Sequence, residues 1–243
     1  MERTASELQW RLSMETIRLF ELNKREIAVM TEHHYLHAPV DVGCSVEGYM
    51  WGVVEEEEEM GTTIAGYFLL GRPEATRVNG WYGSVEDMVT GRCEVTRWQV
   101  LNLARVYIFP DWQSGGYFHH PQYIPGFNDR KGQFRSTLAS SAISAMAPRV
   151  GFDYLMRRPP CFLDEPYEIR WLMSYCDTRL HKGTIYREAG FELYRTNQDG
   201  IQTWRLRLPA LSPDQDGQVR EAARRSPRSQ AYRARRAQLE MEI

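Results

Sequence analysis

"SYCDTRLHKGTIYREAGFEL", residues 174–193, is the stretch from which the fold can be read. It continues the apolar run of "EIRWLMSYCD" (168–177), which predicts a buried strand ending at Asp177. A short helix over "HKGTIYREAG" (181–190) follows, closed by Gly190, whose left-handed conformation lets Phe191 turn back into the core. "FELYRTN" (191–197) and "TWRLRL" (203–208) then form a closing hairpin. In this arrangement Asp177 reaches the carboxyl edge of a sheet, and His181 and Tyr186 lie on or near the next helix's first turns. Gly183 allows a close backbone approach at that corner.

Outward from this segment, residues 14–20 read as a first strand, and "NKREIAVMTEHHYLHAP" (23–39) as one or two short helices that stop before Pro39. "SVEGYMWGVV" (45–54) and "GTTIAGYFLLGRP" (61–73) pair as an antiparallel hairpin, with Glu55 to Glu59 at its exposed turn. "CEVTRWQVLNLARVYIFP" (93–110) supplies one or two more strands. The segment 111–135 is dense in Gly, Pro and aromatics, and a loop of that length inside a compact domain is usually functional. "RSTLASSAISAMAPRV" (135–150) predicts a helix with Ser136 at its N-cap and Pro148 closing it. The order defines an α+β class, with one mixed, mostly antiparallel sheet flanked by helices. The expected organisation is a main domain over 1–209 and a basic tail over 210–243, the core being complete after Pro209.

Composition fits an ordinary globular chain: 243 residues, 42% apolar, 12% aromatic and a formal net charge of −2. No apolar run is long enough to span a bilayer, and the first residues lack a secretory layout, so a cytoplasmic protein is expected. Four widely spaced cysteines support neither a zinc knuckle nor a disulfide framework; Cys176, beside Asp177, reads as a buried strand thiol rather than a nucleophile. "RRSPRSQAYRARR" (224–236) carries six arginines and no acid, which reads as a solvated tail or as an arm that neutralises nucleic-acid phosphates.

Three groups of residues carry candidate chemistry. The strand "NLARV" (102–106), with Val106, leads through the long insert to a helix whose first amides are free to hold an anion. Ser136, Thr137 and Ser140 add hydroxyls there, unless this small-residue face only packs. Arg105 on that strand needs a carboxylate, phosphate or base as partner, with Asp177 or Glu94 available. In "TEHHYLHAP" (31–39), His33, His34 and His37 lie beside Glu32 and Tyr35, a set able to bind a transition metal, act as a base, or simply be solvated. Trp112, Tyr117, Phe118, His119, His120, Tyr123 and Phe127, with Arg130 and Lys131, have the composition of a surface that stacks on bases, or of a self-packed lid.

The segment "GTIYREAGFEL" following a strand and an Asp resembles the C-terminal half of GNAT-fold acyltransferases. Together with "EVTRWQVLNLAR" and "HHYLHAPV", it resembles the Mom-like phage DNA-modification proteins, a divergent branch that modifies adenine in DNA and opposes restriction. The resemblance covers about residues 30–208 in scattered blocks. It implies a GNAT-like domain, acetyl-CoA or a related acyl donor, DNA as partner, and transfer of a small acyl-derived group to the adenine N6 amine. Tyr186 is then the acid toward the leaving thiolate and a cofactor contact. Asp177 and Arg105 order the site, and His34 with Tyr35 face the base or hold iron at His34. The compact pyrophosphate turn usual after the central strand is missing, and "WQSGG" (112–116) stands in its place. A conventional acetyl-CoA-dependent N-acetyltransferase acting on a small amine or a protein is the competing enzymatic reading, and a catalytically silent nucleic-acid-binding protein a third. A homodimer is compatible with each.

Overall fold

The strand expected within 61–73 is apolar on every residue from Phe68 to Leu70, and both its faces are covered. Ala65, Tyr67, Phe68, Leu69 and Leu70 are fully buried, which places this strand inside a sheet with something packed on each side. The structure is a computed structural model that describes residues 17–23, 25–27, 47–53, 63–73, 75, 77–78, 80–109, 137–161, 163 and 166–241.

The strands are β1 (Ile17–Leu22), β2 (Glu47–Val53), β3 (Thr63–Gly71), β4 (Tyr82–Gly83), β5 (Val95–Thr96), β6 (Val100–Ile108), β7 (Trp171–Asp177), β8 (Glu192–Thr196) and β9 (Ile201–Arg207). The helices are α1 (Val85–Val89), α2 (Thr137–Arg157), α3 (Thr184–Glu188), α4 (Pro213–Arg225) and α5 (Pro227–Met241). Among the described residues, seven strands form one sheet in the order β1-β2-β3-β6-β7-β9-β8, and β4 with β5 forms a separate parallel pair. The α+β class with a mixed, mostly antiparallel sheet flanked by helices is thus present as expected.

Strand directions follow from the pairings. β1 with β2, β2 with β3 and β8 with β9 are antiparallel, and the β2–β3 hairpin carries an irregularity between Trp51 and Gly52. Phe109 N donates to Ala65 O at 2.9 Å while Arg97 reaches Pro73 O, so β6 runs against β3. Arg170 N donates to Gln99 O at 2.8 Å and Ser174 Oγ to Leu103 O at 2.9 Å; both partners advance together, so β6 and β7 are parallel. Thr178 N pairs with Gly200 O and Leu208 N with Arg170 O, which makes β9 antiparallel to β7. β6 and β7 are therefore the parallel pair at the centre of the large sheet, and the chain between them contains α2, as a parallel connection requires.

The chain folds as two compact units. The first comprises Met1–Gly71, Leu103–Met146 and Met173–Arg205. Its helical turn at 25–27 starts on Asn23, whose Oδ1 accepts from Arg25 N and Glu26 N while Glu26 returns a bond to Asn23 N. Leu22, Ile27, Tyr67 and Leu69 form a buried cluster against Tyr107 and Phe109. The second unit comprises Arg72–Asn102, Ala147–Leu172 and Leu206–Ile243. There Trp81 packs edge-on against Tyr82 and Trp171, with ring centroids 5.2 and 6.0 Å apart, and Arg72 lies 4.7 Å from the Tyr154 ring centre.

Two expectations need correction, and one element was not foreseen. Pro148 does not close its helix, since α2 continues to Arg157. An interior proline costs roughly 3 kcal/mol, and the continuation buries Val150, Tyr154 and Leu155, each worth about 1.5–3 kcal/mol. The core is not complete at Pro209, because Val219 and Ala223 on α4 and Ser229 on α5 are buried. Finally, residues 82–89 carry an unforeseen element: the hydroxyl of Ser84 caps Asp87 N at 3.0 Å and the Asp87 carboxylate returns to Ser84 N, which starts α1. Apart from 23 and 25–27, the helices expected over 23–39 lie outside the described residues, as do the Glu55–Glu59 turn and the 111–135 insert.

Candidate active site at the central parallel strands

β6 changes character along its length. Val100 to Leu103 are buried, whereas Ala104 to Ile108 are all half-buried, Val106 among them. On β7 the residues alternating with Tyr175 point inward: Leu172, Ser174 and Cys176 are buried, while Tyr175 is 38% exposed. Ser174 is thus a polar side chain on a buried strand face, and its hydrogen bonds must be made within the protein. Its Oγ lies 2.9 Å from the carbonyl oxygen of Leu103 and 3.0 Å from Oη of Tyr186.

Tyr186 is placed by the corner read from the sequence. Gly183 adopts φ +67° immediately before α3, and a Cβ there would come within 2.6 Å of the Trp204 ring. The close approach expected at Gly183 is therefore to Trp204, and only glycine makes it without strain. One turn later the half-buried Tyr186 ring stacks on Trp204, with centroids 6.1 Å apart at 29°, and meets Phe191 edge-on at 5.6 Å. Gly190 at φ 86° turns the chain so that Phe191 is buried. The ring is held on two sides by aromatics, and its hydroxyl projects toward β7.

Asp177 stands at the end of β7 as expected, but its partner is local. It accepts from Arg179 N at 3.0 Å, Nε at 2.9 Å and Nη2 at 2.6 Å. These side-chain and backbone bonds, with the guanidinium charge, pull its carboxyl down to about 2. The expected pairing with Arg105 is not made: two residues of a turn meet at lower entropic cost than two on separate strands. Arg105 donates through Nη1 to Ala104 O at 3.1 Å, and its buried Nε has no hydrogen-bond partner among the described residues. Nearby Tyr67 is pushed up to about 12, first by burial and then by Tyr107, with the Arg105 charge opposing.

Ser140 is buried in α2, and Thr137 opens that helix. Ser136, His34 and Tyr35 lie outside the described residues, and the anion-binding and iron readings at these positions lie there with them. Among the described residues there is no group of three or more His, Cys, Asp or Glu able to hold a metal. Cys176 is buried, its thiol donates to His181 O at 3.4 Å, and burial pushes its titration up, which agrees with a packed strand cysteine.

Ser174 was not among the candidates. The signal was one polar residue at an inward position of "WLMSYCD", in phase with Leu172 and Cys176.

No protein-family model matches the chain, and no curated protein matches it. Among solved structures, spermidine/spermine N-acetyltransferase SpeG from Vibrio cholerae, in complex with manganese ions, aligns over 80% of this chain and 94% of its own at 8% identity and a TM-score of 0.38. A Bacillus subtilis acetyltransferase in complex with CoA aligns over 80% of this chain and 99% of its own, at 10% identity and a TM-score of 0.37. The Campylobacter jejuni N-acetyltransferase PseH, in complex with acetyl coenzyme A, aligns over 79% and 98%, at 14% identity and a TM-score of 0.30. These likenesses are remote. The strand order places antiparallel strands on both sides of a central parallel pair. No helix among the described residues is long and apolar enough to cross a membrane.

Proposed function

We propose that this chain is an acyltransferase of GNAT type that takes an acyl group from a coenzyme A thioester, and that it belongs to the Mom-like branch acting on the adenine N6 amine of DNA. The observation that carries the acyltransferase reading is the phenol of Tyr186, clamped between Trp204 and Phe191 with its hydroxyl 3.0 Å from Ser174 on the central parallel strands. In this reading the donor lies along the half-buried part of β6, near Val106. When bound, the thioester supplies an activated carbonyl carbon. The amine nitrogen attacks it, the carbon–sulfur bond breaks, and the departing thiolate takes the proton of Tyr186 Oη. The surplus proton of the amine passes to water.

The adenine reading draws its support from the resemblance carried by "HHYLHAPV", "EVTRWQVLNLAR" and the segment around Tyr186. Arg105, with a buried donor atom uncommitted among the described residues, has the chemistry to meet an anionic or base-edge acceptor group. The six arginines of 224–236 supply charge for a phosphate backbone.

Co-expression with a plasmid, followed by digestion of its DNA to nucleosides and mass spectrometry, tests the whole reading. An adenosine bearing added mass supports it, and ordinary nucleosides from cells that express the protein well reject the DNA part. Titration calorimetry with acetyl-CoA, with and without duplex DNA, then separates the general class from the particular one. Coenzyme binding indifferent to DNA identifies a conventional N-acetyltransferase, and salt-sensitive DNA binding without coenzyme identifies a silent binding protein.

A further inference from the structure

We infer that Ser174 is a positioning residue for Tyr186, aiming the phenol's proton and receiving the charge left when that proton departs. This inference rests on the proposed role of Tyr186 as the acid.

The number of hydrogens on each hydroxyl sets the direction of its bonds. A serine hydroxyl has one hydrogen and two lone pairs. The carbonyl oxygen of Leu103, 2.9 Å from Ser174 Oγ, can only accept, so the serine's one hydrogen points there. The contact at 3.0 Å between Ser174 Oγ and Tyr186 Oη must then run the other way, with the tyrosine donating. In the resting protein the chain of bonds is Tyr186 O–H to Ser174 O–H to Leu103 C=O. It ends on a main-chain carbonyl, which cannot pass a proton on, so it orients the phenol and relays nothing.

The consequence lies in what Ser174 can do next. Once Tyr186 gives its proton to a leaving group, its oxygen carries a negative charge beside a buried hydroxyl. Rotation about the Ser174 Cβ–Oγ bond then lets the same hydroxyl donate to that oxygen, forming a charge-assisted bond stronger than the neutral one it replaces. Leu103 O keeps its capacity as a carbonyl on a hydrogen-bonded strand. No atom is gained or lost within the protein in this step; one rotor turns and one bond changes direction.

Burial decides why a side chain is used here. Ser174 is 1% exposed, so bulk water does not solvate the phenolate from that side. A neutral hydroxyl also lacks the charge with which a carboxylate would hold the tyrosine's proton in place, which suits a group that must release it. Trp204 and Phe191 fix the ring plane, and Ser174 fixes where along that plane the hydroxyl sits.

The test uses the full chain with Ser174→Ala, Ser174→Thr and Tyr186→Phe, assayed for acyl transfer from acetyl-CoA to duplex DNA and to a panel of small amines. Ser174→Ala is expected to lower kcat about tenfold, as loss of one charge-assisted hydrogen bond implies, with KM for acetyl-CoA unchanged. Ser174→Thr keeps the hydroxyl on a residue that strands favour and is expected to recover most of that loss. In protein labelled with carbon-13 at the tyrosine Cζ, the resonance missing from Tyr186→Phe should shift in Ser174→Ala and return in Ser174→Thr. A wild-type kcat in Ser174→Ala, or an unmoved Tyr186 resonance, overturns the inference while leaving the acyltransferase reading intact. Wild-type protein that transfers no acyl group to any acceptor overturns that reading instead, and the resonance still reports the hydrogen bond.

Discussion

Two tyrosines show how differently this chain uses a phenol. Tyr167, in the second unit, donates to the carboxylate of Asp216, which Arg220 also grips at 2.7 Å. Burial, then this hydrogen bond and the carboxylate's charge, push Tyr167 up to about 12. Tyr186, in the first unit, shares a hydrogen bond with the neutral hydroxyl of Ser174 and packs against the rings of Trp204 and Phe191. A phenol bound to a carboxylate is held protonated and ties an N-terminal turn of α4 to the segment before β7, which is a structural task. A phenol bound to a hydroxyl can exchange the direction of its bond at little cost, and that is what a proton donor requires.

The comparison breaks most plainly at Tyr186. Tyr186→Phe is expected to lower the rate of acyl transfer by about 10²-fold or more, the usual contribution of a positioned acid, while the melting temperature changes little. Equal activity in the variant, measured by steady-state transfer, would return Tyr186 to the role of a packing residue.

Next in size is Gly183→Ala. It places a Cβ within 2.6 Å of Trp204 at a positive φ, and the left-handed conformation alone costs about 1 kcal/mol. With the ring forced to move, a total loss of about 2–3 kcal/mol is expected in chemical denaturation, and the fluorescence of the protein should shift. An unchanged midpoint would mean that the corner is looser than its geometry.

Tyr167→Phe removes a hydrogen bond to a charged group and should cost about 1.5 kcal/mol, with transfer activity retained. Because the folded value of Tyr167 is raised above the ordinary 10, its contribution is fully present below pH 10 and is lost as the pH climbs toward 12. Alkaline denaturation of wild type and Tyr167→Phe should therefore converge in that window, and curves that stay parallel would argue against the shared proton.

The smallest effect concerns Asp177. Its carboxyl is held down at about 2 by Arg179, so whatever it adds to stability is present above the ordinary 3.8 and fades as the pH falls toward 2. The pair is exposed, with the Arg179 side chain 73% accessible, and Arg179→Ala should leave the melting temperature at pH 7 unchanged while the NMR titration of Asp177 moves back toward 3.8.

Much of the frame was legible in the chain. The hairpins β2–β3 and β8–β9, the buried strand ending at Asp177 and the glycine exit at 190 all follow from local patterns, because alternation, apolar runs and positive-φ glycines act over a few residues. Tyr186 was legible for the same reason, being carried by the corner that Gly183 and Gly190 build. Pro148 was misread because a local rule met a larger tertiary gain in Val150, Tyr154 and Leu155. The helices beyond Pro209 looked like a solvated tail because their buried positions, Val219 and Ala223, are few among many charges.

By itself the sequence determined the β2–β3 and β8–β9 hairpins, the strand ending at Asp177, the glycine corner around Tyr186 and the residue types that carry proton chemistry, since those depend on periodicity and on the chemistry of single side chains. Only the tertiary structure decided the partners: Asp177 with Arg179 and not Arg105, Gly183 against Trp204, and Tyr186 on Ser174 with Ser174 on Leu103. Those contacts join residues 12 to 71 positions apart on neighbouring elements, or choose among several charges within reach, and a hydrogen bond forms only where distance and angle are set by the packing of both elements at once.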